Sequence, residues 1–293
     1  MTSIFLQLLI NGLIAGAIYA LVASGFSLIY STNKFVHFAH GGVIALSAYF
    51  FYWFFSLLGI NFYLAVLLTI LFASLLGYLF NRFFYKPFRV KKASPSILLV
   101  FSIALLILSE SVVLLLFGAD VKTFEFIKTN QGIEIAGAII THLQLVIIIV
   151  SIILFLGLYF LMKKTKIGKA MRAVADNKDV AEIIGISSEK IYSWSFIVGS
   201  AIAGAAAILI PLEQNLTPTM GTNLMIKGFT GAIIGGVGSV PGAILGSFLL
   251  GLVENFGIWF LPSGYKDAIA FVLLFVFLLF RPQGILGIKN NQK

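Results

Sequence analysis

The sequence predicts an all-α polytopic membrane protein, with eight or nine transmembrane helices packed through small residues and one long polar segment on its cytoplasmic side. Three observations carry this. Of 293 residues, 60% are hydrophobic and only 11% are charged. A water-soluble chain of this size cannot hide that much apolar surface, because polar residues must cover its outside. Apolar runs of the length that crosses a hydrocarbon core, about 20 residues, recur near 5–30, 38–59, 62–84, 95–117, 138–162, 190–210, 223–241, 242–260 and 266–281. Basic residues, finally, collect in alternate connections.

Nine crossings follow from these runs, and eight or ten if one segment is re-entrant. The last run is short, and only Ser239-Val240-Pro241 separates the two before it. One set of connections holds Arg82, Lys86, Arg89, Lys91, Lys92, the cluster from Lys163 to Lys190, Arg281, Lys289, Lys293 and Lys34. The other set holds Lys122, Lys128, Lys227 and Lys266, beside Asp120, Glu125, Glu134, Glu213 and Asp267. The positive-inside rule then puts the C-terminus in the cytoplasm and, for nine crossings, the N-terminus outside. The net charge of +9 is a property of these loops and does not point to nucleic acid. The whole chain, 1–293, reads as a single transmembrane domain with the polar segment 163–192 inside it. Zero cysteines exclude disulfides, thiolate catalysis and cysteine-ligated metals. The opening MTSIFLQLLINGLIAGAIYAL lacks a basic n-region and a small-residue cleavage site, so it reads as a retained first span.

Along the chain, the first run carries Gly12 and Gly16 as a GxxxG pair, which lets another backbone approach closely. Asn11, Tyr19, Ser24 and Tyr30 add polar atoms that lipid does not satisfy, so this helix belongs inside a bundle. His37 and His40 stand three apart, on one face if helical, but without a nearby carboxylate. They point to polar packing, and no metal site is expected. Residues 118–137 read as a short exterior excursion of mixed charge. GSAIAGAAAILIP is a small-residue helix expected to end at Pro211, and two further GxxxG pairs follow, Gly231/Gly235 and Gly242/Gly246. So much glycine weakens a helix in water and argues for tight packing or a broken helix lining a path. No Gly-Lys-Ser/Thr follows the run, so it is not a phosphate loop. No nucleotide site, cofactor site or catalytic constellation is read anywhere. Two carboxylates fall inside apolar runs, Glu110 and Glu254; at membrane depth such groups are costly and mark function or a helix-to-helix pair.

The polar stretch from Lys163 to Tyr192 reads as two short helices. Met171, Val174 and Ala175 recur at helical spacing, and Asp176-Asn177 offer an N-cap before Val180, Ala181, Ile183 and Ile184. Gly185 is placed for the left-handed turn that ends the second helix, and Ser187 or Ser188 for the cap of the next. The apolar faces have no soluble core to enter. Two readings are open on physical grounds: docking of a cytosolic partner, or an amphipathic segment lying on lipid headgroups.

Four stretches, in order, resemble one family, the permease subunits of branched-chain amino-acid ABC importers. NGLIAGAIYALVASGFSLIYSTNKFVHFAHGG resembles the family's opening, with His37-Phe38-Ala39-His40-Gly41 in place of an Asn-Phe-Ala-His-Gly motif. GKAMRAVADNKDVAEIIGISSEKIYSWSFIVGSAIAGAAAIL, KGFTGAIIGGVGSVPGAILGSFLLGLVE and RPQGILG are similar to its later segments, and the length to its shorter, LivH-type subunit. The resemblance implies a multi-pass protein of a bacterial or archaeal cell membrane that hydrolyses nothing itself. It also implies a LivM-like second permease, two cytosolic ATPases and an external substrate-binding protein. The segment 163–192 then becomes an ATPase-coupling element centred on Arg172, Ala175, Asp176, Ala181, Glu182 and Gly185. In that reading Asp176 sets the helix start, Gly185 its end, and Ala181 permits close approach to the ATPase.

Asn11, Tyr19, Glu110 and Glu254 are the candidates to line a translocation path. Such a path is expected to bind weakly, specificity lying in the binding protein. Competing readings are an importer of urea, an amide, a monosaccharide or a nucleoside, an ion-coupled transporter using Glu110 or Glu254, and a membrane-embedded enzyme. The last lacks a Ser/His or paired-carboxylate set within the spans.

Overall fold

The computed structural model describes residues 2–124, 132–135 and 137–287. Glu125, Lys128, Lys289 and Lys293 of the charge pattern lie outside the described residues. The helices are α1 (Thr2–Asn33), α2 (Ala39–Tyr52), α3 (Phe62–Leu79), α4 (Lys86–Val90) and α5 (Pro95–Phe117). After the hairpin β1 (Gly132–Ile135) and β2 (Ala138–Thr141) come α6 (His142–Lys164), α7 (Lys166–Asp176), α8 (Lys178–Ile183), α9 (Ser188–Glu213), α10 (Met220–Gly235), α11 (Val240–Gly257) and α12 (Lys266–Phe280). π-helical turns extend α2 over Trp53–Leu57 and join α3 to α4 over Phe80–Tyr85. Eight of the described helical segments are long and apolar enough to cross a membrane.

The ninth expected crossing, 223–241, is the short helix α10. Its 16 residues span only about 24 Å at 1.5 Å per residue, less than the ~30 Å hydrocarbon core. Gly236 ends it at φ +111, a conformation that suits glycine because a Cβ would clash there. Two further boundaries move. The run 138–162 begins as strand β2, paired antiparallel with β1 in the register Ile133 to Ile140, and turns helical only at His142. Pro211 does not end α9, which runs on to Glu213. In the last turn a proline forfeits one ladder bond and has little helix left to break.

The described chain forms two compact units. Unit 1 comprises residues 1–27, 125–153 and 226–293, and unit 2 comprises 28–124 and 154–225, so α1, α6 and α10 contribute to both. In unit 1, a Cβ on Gly12 would sit 3.0 Å from Leu252 Cα, and one on Gly16 2.8 Å from Phe248 Cα, so α1 and α11 touch backbone to backbone. Gly231 and Gly235 of α10 meet Gly246 and Gly242 of α11 in the same way. That pairing order makes α10 and α11 an antiparallel hairpin. Ile234, Leu250 and Ala270 are buried beside it, with Tyr19, Leu273 and Phe277 packed on them. In unit 2, Gly204 on α9 packs against Ala73 on α3. Phe51, Ala65 and Ile208 form a buried cluster ringed by Phe54, Phe55, Phe62 and Phe124.

Without a hydrophobic drive between helices in lipid, this close approach is what van der Waals packing has to work with. Gly16→Leu is therefore expected to lower stability by about 1–3 kcal/mol or more, because the neighbour it meets is backbone. Gly157→Leu, where a Cβ meets nothing within 4 Å, serves as the comparison. Equal thermal midpoints of the two variants in detergent would refute the packing account.

Candidate functional site

The segment between α6 and α9 is built from local chemistry. Thr165 caps α7, its Oγ1 accepting from Gly168 N at 3.0 Å. Gly168, Met171 and Val174 turn inward and are buried. Asn177 caps α8 by accepting from Asp179 N at 3.0 Å and Val180 N at 3.1 Å. Asp176 was the residue expected to set that start; it is instead the exposed last residue of α7. The reason is geometric. Asn177 has left the helix for extended backbone, φ −147 and ψ 109, the conformation an N-cap requires.

Gly185 takes φ +88, and Ile186 N donates to Ala181 O at 2.9 Å while Gly185 N donates to Glu182 O at 3.0 Å. These bonds satisfy the carbonyls of Ala181 and Glu182 and close a tight turn that leads into α9. Ser187 stands at the N-cap of α9 without a side-chain cap bond.

The burial of this segment differs from the expectation at one point. Ala181 is 2% exposed and faces its own chain, whereas Val180, Ile183 (84% exposed) and Ile184 face outward. The outward surface of α8 is thus an apolar strip left uncovered by the described residues, and Ala181 is the residue that seats the helix. Arg172, Asp176 and Glu182 are exposed and Ala175 is half-buried.

Directly after α8, the first turns of α9 carry a polar network in unit 2. Arg89 forks onto Glu189, Nε to Oε1 at 3.1 Å and Nη2 to Oε2 at 3.0 Å. Its Nη2 also donates to Asn81 Oδ1 at 2.7 Å, and its guanidinium lies 4.8 Å from the Tyr192 ring centre. Asn81 Nδ2 donates to Ser193 Oγ at 2.9 Å. Asn81 and Tyr85 are buried on the π-helical turn, and the Tyr85 hydroxyl lies 2.9 Å from His37 Nδ1. Burial, then the neighbouring His40, holds the His37 imidazole well below the usual histidine range. His37 is thus a neutral polar group among Phe35, Tyr85 and Phe196. Among the described residues, no three His, Asp or Glu gather closely enough to hold a metal ion.

The other expected residues divide between the units. In unit 1, Asn11 accepts from Gln7 Nε2 at 3.1 Å, and Gln7 also bonds Ile139 on β2. Tyr19 and Glu254 meet: the hydroxyl donates to Oε2 at 2.9 Å. Glu254, 0% exposed, also receives Lys227 Nζ at 2.5 Å, and the same ammonium reaches Asp267 Oδ1 at 2.7 Å. The sequence pattern had placed Lys227 in an exterior connection, but it is a buried residue of α10. Its signal was a lone lysine in an apolar run, the charge complement of the lone carboxylate Glu254 in the next. In unit 2, Glu110 on α5 is half-buried and accepts from Thr222 N at 3.2 Å and Thr222 Oγ1 at 2.7 Å. Thr222 lies in the first turn of α10, whose free N–H groups favour a carboxylate. The sequence offered no cue to that pairing.

Among the described residues, each carboxylate within an apolar run is met by a donor. Residues 8–278 match the family described as branched-chain amino acid transport system / permease component. The chain is 33% identical to the high-affinity branched-chain amino acid transport system permease protein BraD of Pseudomonas aeruginosa, covering 99% of this chain and 98% of that one. It is 32% identical to LivH, the corresponding permease protein of Escherichia coli K12, over 99% and 97% of the two chains. A solved structure, PsaBC from Streptococcus pneumoniae in complex with Fab, shares the fold at a TM-score of 0.52 and 13% identity, over 95% of this chain and 92% of that one. With eight apolar spans and a match over nearly its whole length, this chain belongs to the permease component family of branched-chain amino acid transport systems.

Proposed function

We propose that this chain is the LivH-type permease of an ATP-driven importer of branched-chain amino acids. A LivM-like second permease completes the path, two cytosolic ATPases hydrolyse the ATP, and an external binding protein delivers the substrate. The observation that carries this reading is the outward apolar strip Val180, Ile183 and Ile184, on a helix capped at both ends, in a chain of this family. The ATPases dock there, flanked by Arg172, Asp176 and Glu182. Ala175 and Ala181 seat the segment, and Gly185 fixes its turn.

The basic residues from Lys163 to Lys190, and Arg281, stand on the cytoplasmic side of a bacterial or archaeal cell membrane. Although short, α10 runs antiparallel to α11. The chain therefore enters α12 from outside and leaves its C-terminus inside. Asn11, Tyr19 and Glu254 in unit 1 and Glu110 in unit 2 are the path-lining groups. Because Lys227 neutralises Glu254 and Thr222 donates to Glu110, neither carboxylate lacks a partner of its own, and the path binds a zwitterion weakly. Rocking between glycine-packed helices suits such a path.

The test is reconstitution of the four-subunit core in liposomes with the loaded binding protein. Leucine, isoleucine and valine should enter only with internal ATP. Uptake without ATP, or driven by an ion gradient, would sink the proposal.

A further inference from the structure

Two structural facts stand beside the α7–α8 segment that its proposed docking role does not use. One is the fork of Arg89 onto Glu189, in the first turn of α9. The other is the π-helical turn Phe80–Tyr85, through which α3 reaches Arg89. π-turns inside long helices are rare and concentrate at functional sites.

The geometry leaves little slack between them. The Ile186-to-Ala181 and Gly185-to-Glu182 bonds close the turn after α8, and only Ile184, Gly185, Ile186 and Ser187 stand between α8 and α9. A displacement of α8 therefore moves Glu189. A planar guanidinium held by two parallel bonds resists both sliding and rotation, unlike a single-point ammonium contact. Arg89 spends the same Nη2 on Asn81, and Asn81 in turn holds Ser193, one turn on from Glu189. Movement of the start of α9 thus pulls on Asn81 of the π-turn twice, through Arg89 and through Ser193. From that turn Tyr85 reaches His37, in the connection between α1 and α2. Arg89 is only 12% exposed at its side chain and Glu189 36%, so water competes weakly for the arginine end.

We propose that the Arg89–Glu189 fork, seated on the π-helical turn with Asn81 and Tyr85, passes displacement of the α7–α8 segment into the α3 span and the His37 connection, and so sets how tightly ATP hydrolysis is tied to transport. These are positioning residues; none of them touches substrate. The proposal rests on the function above, since it assigns the source of the displacement to docked ATPases.

Its experiment is the number of ATP molecules hydrolysed per radiolabelled leucine imported, measured on the reconstituted complex of permeases, ATPases and binding protein. Arg89→Lys keeps the charge and loses the fork; Glu189→Gln keeps the shape and loses the charge. Both are expected to raise the ratio roughly five-fold or more, the low end of measured couplings between sites, with ATPase association unchanged. The double variant Arg89→Glu/Glu189→Arg should recover at least half of that change. A native ratio in both single variants overturns the proposal. So does a loss of uptake that only tracks loss of assembled complex or of thermal midpoint, for the fork is then a structural brace. A native complex that hydrolyses ATP but imports no leucine overturns the proposed function, and this inference with it.

Discussion

Lys227→Met is expected to destabilise the chain by about 3–5 kcal/mol, the cost of stripping the partner from a buried ion. Glu254 is wholly buried and, among the described residues, keeps only the Tyr19 hydroxyl once the ammonium is gone. A single neutral hydrogen bond does not replace the hydration a carboxylate loses at that depth. The complementary variant Lys227→Met/Glu254→Met removes both charges and should regain most of the loss, because apolar pairs of similar volume replace buried ion pairs at little or no cost. Asp267, 77% exposed, meets the same ammonium from its outer side, and Asp267→Asn should cost under about 1 kcal/mol. Thermal unfolding of the detergent-solubilised variants orders them. If Lys227→Met melts with the native chain, the pair is not a brace and Glu254 does not depend on it.

The second large effect concerns the outward strip of α8. Ile183→Arg should leave the stability of the isolated chain within about 0.5 kcal/mol, as for other exposed positions. It should weaken capture of the partner ATPase about ten- to a hundred-fold, which corresponds to the roughly 1.5–3 kcal/mol of one buried isoleucine. Ala181→Arg separates the two faces of the same helix. At 2% exposure there is no room for a guanidinium, so that variant should unfold the segment and lower the thermal midpoint of the chain alone. Co-purification with the ATPase and thermal midpoints of the lone chain read the two effects independently. Native capture by Ile183→Arg would remove α8 as the docking surface.

Much of the architecture was legible because lipid imposes simple rules. A spanning helix must be long and apolar, and its ends show as breaks in the apolar run. Caps were legible too, since a side-chain oxygen or a left-handed glycine acts within a few residues of itself; Asn177 and Gly185 are local in this sense. The misreadings have the opposite character. Composition made 223–241 a span; its glycines allowed a broken helix, but they did not place the turn at Gly236 that stops α10 short. Ala181 and Ile183 stand two apart on one short helix, and only the bodies packed around α8 decide which of them is covered.

The sequence by itself determined the class of protein, the order and approximate bounds of the spans, the glycine pairs and the family, all of which depend on neighbours along the chain or on total composition. The tertiary structure alone decided the partners of the ionisable groups: Lys227 with Glu254, Arg89 with Glu189, Glu110 with Thr222. The physical reason is that a buried charge is specified by whatever lies within a few ångströms of it, and in each of these pairs that neighbour is many residues away along the chain.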